Sequence, residues 1–208
     1  MTEQTVPWIT YRPELKVLDC TIRDGGLVND SQFTDDQVKA VYEACVEAGI
    51  DYMEIGYKND PEVFSPDQYG PWRHCHEETM RRAVGDHTFE ETGIKLCAMA
   101  DAGSKSNWEK QIIPAKDSVL DMIRVATYIH QMPLALDMIK DAHDKGYEST
   151  LNLMAVSTVP KSEVRSALEM LVRSEVEAIY VVDSFGSLYS EQVHALYDMF
   201  MEYCKGTK

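Results

Sequence analysis

The sequence predicts an α/β fold built on a parallel sheet, and three observations carry that reading. Short β-rich runs alternate with longer amphipathic stretches six times along 208 residues. No hairpin signal such as Asn-Gly stands between successive strands, which argues for βαβ units. Runs such as Ala178-Ile-Tyr-Val-Val182 are apolar at every position, as strands covered on both faces are.

The elements follow in order. Lys16–Ile22 reads as the first strand, running into a turn at Arg23-Asp24-Gly25-Gly26. Thr34 with Gln37 forms a capping-box pattern, and Val38, Val41, Tyr42, Cys45 and Val46 recur at helical spacing until Gly49 stops the helix. Asp51–Gly56 is the second strand, followed by a Pro/Gly-rich loop from Asn59 to Arg73 and a short helix over Glu77–Val84. Ile94–Met99 is the third strand, ending at Ala100-Asp101-Ala102-Gly103. The fourth lies around Met122–Val125 and leads to a helix over Met132–Lys145 closed by Gly146. Ser149–Met154 is the fifth strand, and Pro160 precedes a helix over Lys161–Ser174. The sixth strand, Ala178–Val182, ends in Asp183-Ser184-Phe185-Gly186, and a final helix covers Ser190–Tyr203. The pattern reads as an N-terminal extension, residues 1–15, and one domain over 16–208.

Composition narrows the function classes. Thirty-five acidic against 20 basic residues give a net charge of −15. No basic stripe is available to neutralise phosphates, so nucleic acid is not an expected partner. No apolar run approaches the ~18 residues of a membrane span, and Met1–Lys16 is too polar for a signal peptide. Five scattered cysteines without a C-x-x-C read as a reduced, cytoplasmic chain.

In parallel α/β folds functional side chains gather at the C-terminal ends of strands. Reading only those ends selects Asp19, Arg23, Asp24, Glu54, Asp101, Arg124, Asn152 and Asp183. Buried charges are costly unless paired, so their convergence on one rim points to a polar site. The carboxylate of Asp24 suits a divalent cation, and the neighbouring guanidinium of Arg23 suits an oxyanion developing on a carbonyl. Glu54, one strand over, is placed to pair with Arg23 and fix its orientation. The alternative is a surface turn with an Arg–Asp pair.

Leu18-Asp-Cys-Thr-Ile-Arg-Asp-Gly-Gly26 resembles the D-x-T-x-R-D-G signature of the DRE-TIM metallolyase superfamily. Glu54 in Tyr52-Met-Glu-Ile-Gly56 matches that family's second-strand glutamate, and Asp183-Ser-Phe-Gly186 its D-[ST]-x-G after the sixth strand. The likeness runs from about residue 16 to the C-terminus and is strongest to the 4-hydroxy-2-oxovalerate aldolase-like branch, in which G-G-x-x-N follows the Arg-Asp. It implies a (β/α)8 barrel of TIM type, of which this chain would supply six of eight βα units, since a closed barrel takes ~250 residues. It also implies a divalent metal, Mg²⁺ or Mn²⁺ or alternatively Zn²⁺, with Asp24 as a ligand.

By the same resemblance, Arg23 stabilises the enolate of a bound small-molecule 2-oxo acid and Glu54 holds Arg23, while Asp19, Asn29, Asn152, Asp183 and Ser184 are supporting or substrate-side residues. The implied reaction is metal-dependent aldol or retro-aldol chemistry. The alternatives are an acyl-CoA-condensing transferase of the same superfamily, or a catalytically silent chain acting as a binding or assembly module. An open barrel edge also suggests association, as a homo-oligomer or with another chain. The sequence departs from the family twice: Gly26, Leu27 and Val28 stand where the aldolases carry an acid/base histidine, and the H-x-H ligand pair expected on a seventh strand would fall after Lys208.

His74-Cys75-His76 is an H-x-H in a different βα unit and reads as a polar loop against the rim, the alternative being a zinc site with Cys97. His130 follows the fourth strand and is a second candidate for the rim. His143 and His194 sit on helices and read as solvated. Tyr57 and Lys58 follow the second strand and suit either substrate contact or a loop role. The stripe Met132, Leu136, Met138, Ile139 reads as core.

Overall fold

The computed structural model describes residues 12–103 and 107–204; most of the expected N-terminal extension, residues 1–11, lies outside them. Among the described residues six strands form one parallel sheet in sequential order: β1 (Leu18–Asp19), β2 (Tyr52–Tyr57), β3 (Lys95–Asp101), β4 (Met122–Thr127), β5 (Glu148–Leu153) and β6 (Ala178–Val181). Between them run α1 (Thr21–Gly25), α2 (Asp35–Ala48), α3 (Glu77–Val84), α4 (Phe89–Thr92), α5 (Trp108–Gln111), α6 (Met132–Asp144) and α7 (Lys161–Leu171), and α8 (Ser190–Tyr203) follows β6. The short helices α4 and α5 were not legible as periodic segments because four residues make barely one turn.

The sheet is curled. Tyr52 on β2 donates its hydroxyl to Glu148 on β5 at 3.0 Å, whereas three strand spacings in a flat sheet come to about 14 Å. The curl gives the sheet an inner and an outer face, as in the wall of a (β/α)8-type barrel. Outer-face residues Met53, Ile55, Leu96, Ala98, Ile123, Val125, Leu151 and Leu153 join the helices in one large core. On the inner face Tyr57, Met99 and Ala126 make a small separate cluster with Met154. The alternation along β3, with Leu96, Ala98 and Ala100 outward and Cys97 and Met99 inward, is the period-2 consequence of the pleat.

Three local findings bear on the site. The first strand is shorter than its β-rich run, Leu18–Asp19 rather than Lys16–Ile22. The Asp19 carboxylate accepts from the Thr21 amide at 3.0 Å and its hydroxyl at 2.8 Å, which starts a helical turn at once. Arg23, Asp24 and Gly25 therefore ride on α1 rather than in an open turn, with Asp24 N–H bonded to Cys20 C=O at 2.8 Å. Second, β2 carries a register irregularity between Glu54 and Gly56. Gly56 sits at φ 155°, and a side chain there would strike the Trp72 carbonyl oxygen and approach Cys75 Sγ to 2.6 Å. Third, β6, expected to be covered on both faces, is only half-buried, because it is the edge of the described sheet.

Candidate active site

A cavity of about 880 Å³ opens where the strands end, lined among others by Arg23, Asp24, Tyr57, Asn59, Arg73, Asp101, Asn152, Asp183 and Ser184. Behind Arg23 on its wall lies an ionic group centred on Glu54, which is fully buried. Glu54 Oε2 accepts from Arg23 Nε at 2.6 Å and lies 2.5 Å from an Arg124 guanidinium nitrogen. One buried carboxylate thus serves two guanidinium groups from β4 and α1. Arg124 also donates to Asn152 Oδ1 at 3.0 Å and lies over the Tyr180 ring at 4.3 Å. Burial works against the charge on Arg23 and on Arg124, but Glu54 together with the weaker pull of neighbouring acidic groups outweighs it, and both groups hold their protons more tightly than free arginine.

Arg23 turns its other edge to the cavity rim, 2.5 Å from Asp24 Oδ1. Asp24 is more than half exposed. Cys20, beside the same group, is pushed up to about 11 by burial and then by Glu54, so its thiol stays protonated at neutral pH. Asp101, at the end of β3, accepts from Asn59 Nδ2 at 2.8 Å. Its carboxyl lies above its usual range because burial outweighs the opposing pull of that bond, Arg73 and Arg23.

Of the residues singled out in the sequence, Arg23, Asp24 and Glu54 come together, and Asn152, Asp183 and Ser184 reach the same cavity. Asn152 holds Arg124; Ser184 Oγ accepts from the Ala155 amide at 2.8 Å; Asp183 accepts from the Leu188 amide at 2.9 Å. Asp19 and Asn29 are not on the cavity wall. Asp19 caps α1, and Asn29 buries an unpartnered Oδ1 beside its loop.

Tyr57 lines the cavity, whereas Lys58 is buried and bonds Cys75 C=O at 2.7 Å and Glu77 at 3.2 Å. His74 is buried with Nδ1 3.0 Å from Asn59 C=O, and His130 is exposed and stacked on Tyr128. Met132, Met138 and Ile139 are fully buried core, with Leu136 packed partly against it. Sequence reading placed Arg124 and Asp101 at strand ends without assigning them partners, and it passed over Arg73 and Asn59 as loop residues.

The divalent metal implied by the resemblance meets a thin donor set. No group of three His, Cys, Asp or Glu side chains converges among the described residues. Asp24 supplies one carboxylate, and Asp60, Asp101 and Asp183 on the same cavity accept hydrogen bonds from Glu62, Asn59 and Leu188, whereas zinc takes about four ligands and magnesium about six. These residues do not by themselves fit a metal centre. Among them, no helix is long and apolar enough to cross a membrane.

Comparison with known proteins supplies relatives. No family model matches the chain. 4-Hydroxy-2-oxovalerate aldolase 3 of Rhodococcus opacus is 28% identical over 180 residues, covering 86% of this chain and 51% of the relative. The N-terminal domain of a candidate aldolase from Bacteroides vulgatus superposes with a TM-score of 0.68 at 25% identity, covering 91% of this chain and 61% of that one. The carboxyl transferase domain of Rhizobium etli pyruvate carboxylase shares the fold, with a TM-score of 0.63 at 11% identity over 91% of this chain and 34% of that one. The chain spans about half the length of the curated relatives it matches. In the signature that starts on β1 and continues along α1, in the second-strand glutamate and in these likenesses, the chain is similar to the 4-hydroxy-2-oxovalerate aldolases, and the similarity is consistent with the DRE-TIM metallolyase superfamily.

Proposed function

We propose that the cavity performs aldol or retro-aldol carbon–carbon chemistry on a small 2-oxo acid, with Arg23 as the group that stabilises the enolate oxygen. The observation that carries this reading is the Arg23 guanidinium, held through Nε by the buried Glu54 while the rest of it faces the cavity rim. A fixed cation at that rim lowers the energy of a transition state in which negative charge builds on the former carbonyl oxygen. Glu54 and Arg124 keep the guanidinium from reorienting, so little reorganisation is needed as the charge develops. A divalent ion of the family's kind would add Lewis-acid assistance. Asp24 is the exposed carboxylate beside Arg23 on the rim, and by itself it does not hold such an ion. The acyl-CoA-condensing alternative finds no specific support in this cavity.

A second reading has its own observation. The lack of three converging metal-type donors among the described residues favours a chain that binds a 2-oxo acid without turning it over. A coupled assay for pyruvate release from 4-hydroxy-2-oxovalerate, with and without Mn²⁺, separates the two. The aldolase reading expects release that Arg23→Lys lowers about 100- to 1,000-fold. Pyruvate binding by calorimetry without any release establishes the silent reading instead. Mn²⁺ titration of this chain is expected to stay unsaturated at about 1 mM, as one carboxylate on a rim predicts.

A further inference from the structure

The loop between β2 and α3 carries a second arginine that the chemistry above leaves unused. Arg73 is nine-tenths buried, yet it makes no ion pair or hydrogen bond through its side chain among the described residues, and its Nε is buried without a partner. Its guanidinium carbon lies 4.2 Å from the Tyr57 ring centroid, 4.2 Å from that of Phe64 and 5.1 Å from that of Tyr69. Aromatic faces stabilise a desolvated guanidinium without occupying its N–H donors. The Asp101 carboxylate acts on it only through the longer-range field and is itself held by Asn59. Arg73 lines the same cavity as Arg23, as do Tyr57 and Phe64.

The backbone under it is fixed. Trp72 is fully buried and donates its indole N–H to Phe33 C=O at 3.0 Å, and Asn59 N–H bonds Arg73 C=O at 3.2 Å. Gly70 is packed so closely that a side chain would strike the Ser31 carbonyl oxygen. A buried cation with free donors, positioned in advance on a rigid turn, matches a receptor for an oxyanion, since burying a charge is costly until a partner arrives.

We propose that Arg73 binds a second oxyanion group of the substrate, a carboxylate or a phosphate, distal to the 2-oxo acid end that Arg23 faces. The cavity would then select substrates carrying two anionic groups. This rests on the aldol reading only for which end lies at Arg23.

The test is a set of titrations that need no turnover. Wild-type chain is titrated at constant ionic strength with butyrate, glutarate and 3-phosphonopropionate, which share a carboxylate and differ in the second anion. One or both of the doubly anionic acids should bind about 10- to 100-fold more tightly than butyrate, the range expected of a charge-assisted bidentate contact. Tighter binding of glutarate assigns the second group as carboxylate, and tighter binding of the phosphonate assigns it as phosphate. Arg73→Met should reduce the preference to about 2-fold or less, and Arg73→Lys, which keeps the charge and loses the fork, should retain part of it.

Equal binding of all three acids by the wild type overturns the proposal even if the Arg73 variants do not fold. So does a preference that survives Arg73→Met. Absence of pyruvate release both from 4-hydroxy-2-oxovalerate and from a 4-hydroxy-2-oxo dicarboxylic acid would count against the aldol reading and leave these titrations unaffected.

Discussion

Glu54→Gln tests the ionic group on which the site is built. The substitution keeps shape and removes the one charge that neutralises both Arg23 and Arg124. Glu54 is fully buried, and the side chains of Arg124 and Arg23 are 5% and 14% exposed, so water replaces little of the lost attraction. Breaking a buried pair by removing one partner costs about 3–5 kcal/mol. Arg23 keeps Asp24, but that carboxylate is 59% exposed and contributes at most about 1 kcal/mol. Arg124 keeps Asn152 and the Tyr180 ring. The expected loss is therefore about 3–4 kcal/mol, a large part of the 5–15 kcal/mol typical of a folded domain.

The assay is urea unfolding followed by far-ultraviolet circular dichroism. A thermal midpoint about 6–15 °C lower is the corresponding shift for a chain of this size. Arg124→Met in the same background closes a double-mutant cycle. Because it removes one of the two uncompensated cations, the double variant should lose at least about 1 kcal/mol less than the sum of the singles. A loss under about 1 kcal/mol for Glu54→Gln, or strict additivity with Arg124→Met, would refute the reasoning.

Three further outcomes follow from the same geometry. Arg23→Lys should lower the rate of pyruvate release about 100- to 1,000-fold, as loss of one oxyanion-stabilising group does, while the unfolding midpoint moves far less than in Glu54→Gln; near-normal turnover argues against the enolate role. Asp101 has a raised folded-state pKa, so the native state binds its proton more tightly than the unfolded chain does, and stability should fall as pH rises from the ordinary value of 3.8 through the raised one. Asp101→Asn should flatten that part of the urea-midpoint profile just above pH 3.8, and an unchanged slope shows that the burial is not felt. Gly56→Ala should cost about 3 kcal/mol or prevent folding, since its Cβ meets the Trp72 backbone and Cys75 Sγ rather than a flexible side-chain end; a soluble variant of wild-type stability shows that the β2 irregularity can relax.

What the sequence determined by itself was the order and kind of the long elements. The helical spacing of Val38, Tyr42 and Cys45 with the Thr34–Gln37 box, and the β-rich runs around Met53, Leu96 and Ile123, depend on local periodicity that any reader of the chain can count. The Arg-Asp-Gly-Gly run and Glu54 were also visible, because strand ends can be located once the strands are. The helical form of α1 was not visible, because it depends on the Asp19 carboxylate reaching Thr21 as the strand stops.

Only the tertiary structure decided the partners. Glu54 meets Arg124 across two strand spacings because the sheet curls. Arg73 acquires its aromatic surroundings because a loop read as irregular folds back onto the end of β2 and brings Phe64 and Tyr69 beside Tyr57. Periodicity is written within a few residues, whereas charge pairing and desolvation are set by groups up to 70 positions away whose distance is fixed only when the sheet bends.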